Sequence, residues 1–370
     1  MGKVMRYRGA SALFWSLALA AMAGLALAAA KKEVRIYFWY DYVAPEVIKD
    51  FEKTANTKVV YDTFEESELL ITKLLTGSSG YDIAMPVGSS AGKLIKAQAI
   101  QKLDKTKLSF LADLNPEIMS RLAGDDPGND YAVPYAYGTT GIIYNSKKLA
   151  ERLPDAPVNS LDMVFKPENI SKFKDCGVAF ADSPEGIMSV ALNYLGLDPF
   201  STKPEDIQKG ADLLKAVRPY IKHFKTASII SEMAEGDICL ALGWSGDALI
   251  AASRAVEAKK DFEVKYMIPK EGTELFCDTM VIPKDAPNKD GAYQLMNHLL
   301  APENVSQFTN SFKYPNANTK ATALVDQTIR DNKNIYPPKE AMAKIFAARP
   351  RDPKSLRLVT RAWTRFTSGN

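Results

Sequence analysis

Residues 33–86 alternate strand and helix patterns, and this alternation confines the chain to an α/β fold. Glu33-Val34-Arg35-Ile36-Tyr37-Phe38-Trp39 is rich in β-branched and aromatic residues, the composition of a strand. Residues 46–54 have helical spacing behind Pro45, a residue that a helix accepts at its start. Lys58-Val59-Val60-Tyr61-Asp62 is a second strand, residues 65–76 a helix, and Tyr81-Asp82-Ile83-Ala84-Met85-Pro86 a third strand. Strands separated by helices pair in parallel, with helices on both faces of the sheet. Such a sheet contacts ligands where strands end and break into loops, so the strand ends are where function is sought.

Three strand ends or edges carry an aromatic ring close to a carboxylate. The first strand runs into Trp39-Tyr40-Asp41-Tyr42. The apolar run Ile238-Cys239-Leu240-Ala241-Leu242 is a buried strand that Gly243 is expected to stop. Trp244-Ser245-Gly246-Asp247 follows, and Ala248 begins a helix. Residues 275–283 form a further strand, in which a period of two puts Phe276 and Asp278 on one face and Cys277 on the other. An aromatic face beside an anion suits an organic cation, drawn by the ring quadrupole and by the carboxylate's charge. Any single pair could equally be a core ring and a helix-capping acid. Three pairs in a chain without a catalytic set favour a cation-binding cleft.

The rest of the chain sets the frame. Residues 131–145 are aromatic and glycine-punctuated and are expected to pass from one domain to the next. A strand at 177–181, helices at 187–195, 203–217 and 228–234, and a strand at 262–269 follow. Helices are expected at 289–300 and 302–312, then a polar aromatic loop, Tyr314-Pro315-Asn316-Ala317-Asn318. A last helix bearing Leu356, Val359 and Trp363 closes a domain.

Other chemistries are weighed against this. Gly88-Ser89-Ser90-Ala91-Gly92 fits the Gly-x-Ser-x-Gly pattern of a serine hydrolase, with Ser90 as nucleophile and His298 downstream. No oxyanion segment precedes it, and His298 lies in an apolar helical run. With only His223 and His298 and three cysteines, no metal site is expected. No cofactor is expected either. The N-terminus has the layout of a secretory leader over residues 1–30: Lys3, Arg6 and Arg8, then an alanine-rich apolar run and small residues before Lys31. Removing those three charges leaves 44 basic residues against the 44 acidic ones, which gives no support to a nucleic-acid partner. In an exported chain, Cys176, Cys239 and Cys277 allow one disulfide and leave one thiol over.

Beyond residue 30 the sequence resembles the periplasmic polyamine-binding proteins of bacterial ABC transporters, in the putrescine-binding branch. The resemblance rests on Trp39-Tyr40-Asp41-Tyr42-Val43-Ala44-Pro45, Gly138-Thr139-Thr140-Gly141-Ile142, Asn193-Tyr194-Leu195-Gly196, Gly243-Trp244-Ser245-Gly246-Asp247, Ile268-Pro269-Lys270-Glu271-Gly272, Asn316-Ala317-Asn318 and Thr360-Arg361-Ala362-Trp363-Thr364. It implies a type II binding-protein fold, two lobes each with a mixed sheet flanked by helices and the ligand in the cleft between them. The expected lobes are 31–135 plus 265–305, and 136–264 plus 306–370. Trp39 and Trp244 are implied as aromatic walls and Asp247 as the anchor of one ammonium. Asp41, Phe276, Asp278 and Tyr314 complete the implied shell. A Cys176–Cys239 disulfide is implied too, leaving Cys277 free. The implied ligand is putrescine or spermidine, with cadaverine or an ω-amino acid as alternatives. An inner-membrane permease partner, a monomer and a periplasmic location complete the expectation. Three positions depart from the branch: Tyr40 and Val87 stand where serines are common, and Gly186 stands near an acidic position, with Glu185 beside it. All three concern the side away from Asp247.

Overall fold

The computed structural model describes residues 32–40 and 42–369; the expected leader and Asp41 lie outside the described residues. Strand β1 (Lys32–Trp39) turns Val34, Ile36 and Phe38 into one apolar cluster and Tyr37 and Trp39 towards another, the period-two pattern of a strand covered on both faces. It pairs in parallel with β2 (Thr57–Phe64) and with β3 (Ile83–Ala84). The helix Pro45–Thr54 buries Val47 and Phe51 in the first cluster, and the helix Ser67–Leu75 buries Leu70 and Leu74 in the second. The two crossovers therefore cover opposite faces. The third strand is shorter than expected, yet Asp82 N–H donates to the Arg35 carbonyl and Met85 N–H to that of Tyr37, extending the pairing.

The strand β4 (Ala132–Asn145) is buried throughout its 14 residues and is shared by both halves of the molecule. Beyond it come β5 (Val178–Phe180), β6 (Leu240–Trp244), β7 (Val264–Met267), β8 (Glu274–Val281) and β9 (Phe346–Ala347). The strand order is β2-β1-β3-β8-β4-β6-β5, with β7 also on β4 and β9 on β8. The first half of β4 pairs antiparallel with β8 and the second half with β6 and β7. One continuous strand thus links two half-sheets. Gly243 does not stop β6 as expected: it lies opposite Gly141, and the ladder runs on to Trp244 opposite Thr140. The break comes at Ser245, where the helix Ser245–Glu257 starts.

The C-terminal helix Pro353–Ser368 drives Val359, Trp363 and Phe366 into the core of the second half, and Trp363 Nε1 donates to Asp182 at 2.8 Å. The stretch before it packs against the first strands. Phe308, Tyr314, Ala317 and Ala321 pack in the first lobe's core with Tyr42 and Tyr135, because Tyr137 and Ala317 N–H groups tie residues 315–317 to β4. Cys176 and Cys239 form a disulfide with Cα atoms 5.7 Å apart, inside the second lobe's core, and Cys277 is a buried free thiol.

Candidate ligand-binding cleft

Alternation along β8 places Glu274, Phe276 and Asp278 on one face, while Leu275 and Cys277 pack on the other with Ile118 and Leu122. Asp278 is 3% exposed. Its carboxylate accepts from Trp39 Nε1 at 3.1 Å and from the Tyr42 hydroxyl at 2.5 Å. Both donors are neutral, and no ion pair reaches Asp278 among the described residues. Burial pushes its carboxyl up to about 7, the two hydrogen bonds pulling the other way. The Tyr42 hydroxyl is held well above its usual range, by burial first and by the Asp278 charge second.

Asp247 sits in the first turn of the helix Ser245–Glu257, where the amide dipoles favour a carboxylate. It accepts from the Tyr314 hydroxyl at 2.8 Å. Burial raises it to about 6 against that bond. Gly246 is what permits this pairing: a Cβ there would lie 2.2 Å from the Tyr314 ring. Gly138 does the same for Phe276, whose Cζ would stand 2.5 Å from an added Cβ. Ring centres run on at 6.1 Å from Trp244 to Phe276, 6.0 Å from Phe276 to Tyr314 and 6.2 Å from Tyr314 to Tyr42. Trp39 packs on Phe64 with ring centres 4.3 Å apart and meets the row at Asp278, the carboxylate it shares with Tyr42. The buried Asp278 and the half-buried Asp247 are thereby joined by a run of aromatic rings drawing on both halves of the sheet.

Of the expected site residues, Trp39, Trp244, Asp247, Phe276, Asp278 and Tyr314 are linked in this arrangement. Val87 is half-buried and bridges to Asp278 as it caps the helix Gly88–Lys96. Tyr40 is 69% exposed and stands outside the ring row. Tyr42 was not singled out from the sequence, although it lies in the same Trp-Tyr-Asp-Tyr run. Glu185 is bonded to Lys93 Nζ at 3.0 Å, joining the helix Gly88–Lys96 of one lobe to the helix Pro184–Tyr194 of the other.

The hydrolase arrangement is not assembled. Ser90 is buried inside the helix Gly88–Lys96, whose Ala91 and Leu94 pack on one face of the first sheet. His298 belongs to the opposite face, its Nε2 2.9 Å from the Val47 carbonyl and its ring 5.3 Å from that of Phe51. Ser90 and His298 therefore lie on either side of the sheet rather than as a nucleophile and its base.

Residues 46–337 match the family model of bacterial extracellular solute-binding proteins. The chain is 45% identical over 367 residues to the putrescine-binding periplasmic protein SpuD of Pseudomonas aeruginosa, covering 99% of this chain and 100% of that one. It is 46% identical over 354 residues to the putrescine-binding periplasmic protein PotF of Escherichia coli, covering 95% and 96%. Among solved structures, the spermidine/putrescine ABC transporter substrate-binding protein PotD of Streptococcus pneumoniae superposes with a TM-score of 0.77 at 27% identity, over 91% of this chain and 99% of that one. The α/β fold is that of the type II periplasmic binding proteins, as expected. The chain belongs to the bacterial extracellular solute-binding proteins, and within them to the branch that holds these putrescine-binding periplasmic proteins.

Proposed function

We propose that the protein is a periplasmic receptor for a linear polyamine of the putrescine or spermidine type, exported by a cleaved leader, which hands its ligand to an ABC permease. The observation that carries this reading is the pair of carboxylates, Asp278 buried and Asp247 half-buried, that meet neutral donors only and are joined by aromatic rings. An ion-pairing cation is what such carboxylates lack. The methylene chain lies along Trp39, Trp244, Phe276 and Tyr314, and Asp247 and Asp278, linked through Tyr314 and Tyr42, together take one ammonium end. Asp41, two residues after Trp39 in the sequence, belongs to the proposed shell as a further acid, and Tyr40 and Val87 border the far side. Each cation–π contact contributes about 0.5–2 kcal/mol and each charge-assisted hydrogen bond about 1.5–3 kcal/mol. After desolvation and closure, a few of each give micromolar affinity, about −8 kcal/mol.

Residues up to about 138 with 274–324 form one lobe and the remainder the other in this reading, with β4 and β8 as the hinge. A ligand touching both lobes stabilises the closed form that the permease reads. The receptor acts as a monomer. Calorimetry on the stripped protein with putrescine, cadaverine, spermidine and ω-amino acids tests the proposal. At least one amine should give a saturable isotherm that Asp247→Ala abolishes; binding that survives this substitution refutes the site.

A further inference from the structure

Asp278 is not the one buried acid beside this cleft among the described residues. Glu274 is 9% exposed and lies on the same face of β8 as Phe276 and Asp278. At about 3.4 Å per residue its Cα is about 14 Å from that of Asp278, with the Phe276 ring between them. That separation suits a short linear diamine with one hydrogen bond at each end. The Glu274 carboxylate accepts from the Ser189 hydroxyl, which comes from the helix Pro184–Tyr194 of the opposite lobe.

The same helix carries Gly186. A Cβ at that position would be 3.6 Å from Glu274 Oε2, so the Glu274 carboxylate lies against the space a side chain at 186 would enter. This is where the resemblance leads one to expect an acid, and here an acid arrives from β8 instead. The neighbouring Glu185 is already bonded to Lys93. Arg351 is close enough for its charge to be felt, but its Nη1 and Nη2 donate to the carbonyls of Ser201 and Pro199. Glu274 thus forms no ion pair among the described residues, and burial raises its carboxyl to about 7. A buried carboxylate without a cation is costly, and a ligand ammonium removes that cost.

We infer that Glu274 receives the second ammonium of the ligand, so that the cleft selects linear amines with at least two positive charges over monoamines and ω-amino acids. This rests on the amine-receptor reading above. An ω-amino acid would set its carboxylate against that of Glu274 and be repelled.

The test is competition calorimetry at pH 8 on the mature, ligand-stripped chain with putrescine, n-butylamine and 4-aminobutyrate. The wild-type protein should prefer putrescine to n-butylamine by at least tenfold and bind 4-aminobutyrate most weakly. Glu274→Gln keeps an acceptor for Ser189 and should reduce the putrescine preference to under threefold. Glu274→Leu, which removes charge and hydrogen bond together, should do the same, with melting curves confirming that both variants fold. An unchanged putrescine preference in the two variants overturns the role of Glu274 and leaves the receptor reading standing. A wild-type protein that binds no amine overturns both.

Discussion

Raising the pH from 5 to 8 should strengthen amine binding steeply. Asp247 titrates at about 6 and Asp278 at about 7 in the ligand-free protein, each raised chiefly by burial. An aliphatic ammonium, with a pKa of about 10, stays charged across this range. At pH 5 an acid of pKa 6 is about one-tenth ionised and an acid of pKa 7 about one-hundredth, whereas at pH 8 both are largely ionised. A ligand that requires both carboxylates therefore gains about 1,000-fold, on the order of 4 kcal/mol. Glu274, also at about 7, acts in the same direction. Calorimetry at constant ionic strength, in two buffers of different ionisation enthalpy, reads both the affinity and the protons released. Release should be close to two protons per ligand at pH 5 and fall towards none at pH 8, most steeply between pH 6 and 7. The free protein should show the mirror image. Carboxylates whose folded pKa lies above the unfolded value favour the protonated form, so stability declines as pH rises from about 4 through 7, and bound amine restores it. Affinity that is flat or falls with pH, or proton uptake on binding, would refute the reasoning.

Four further outcomes follow from the geometry. Replacing Cys176 and Cys239 together by serine removes a bridge between residues 63 apart and should cost about 4 kcal/mol in urea unfolding; a loss under about 1 kcal/mol contradicts the loop-closure estimate. Gly246→Ala places a methyl in the Tyr314 ring and should lower amine affinity at least tenfold with the circular dichroism unchanged; wild-type affinity would show that the Tyr314–Asp247 bond is dispensable. Lys93→Ala breaks the half-exposed inter-lobe pair with Glu185. A loss of about 0.5–1 kcal/mol should appear as two- to fivefold weaker binding with faster release, and tighter binding would rule out a closing role. Cys277, buried and with its thiol pushed well up by burial, should resist thiol reagents in the native protein and react fully in urea.

The parts of this architecture that depend on local pattern were readable from the chain. Alternation at 33–86 foretold the parallel strands and their crossover helices, and period two in residues 275–283 put Phe276 with Asp278. Strand ends then singled out Trp39, Trp244 and Asp247. What escaped depends on contacts between distant residues. The Tyr42–Asp278 bond spans 236 positions, and nothing local marks Tyr42 as its donor rather than a core ring. Glu274 looks like an ordinary polar start to a strand until Ser189 and Gly186 are seen beside it. The pattern at Gly88–Gly92 had the right strand–turn–helix context for a hydrolase, but Ser90 turned into the helix and His298 lies across the sheet. Gly243 reads as a strand breaker, and only its partner Gly141 explains why β6 continues past it.

The most direct test of the central claim is a crystal structure of the stripped protein soaked with putrescine. One ammonium nitrogen should lie within about 3 Å of the Asp247 or Asp278 carboxylate, with the methylenes between the Trp39 and Trp244 rings. An amine bound elsewhere, or a cleft that stays empty at saturating putrescine, would contradict it.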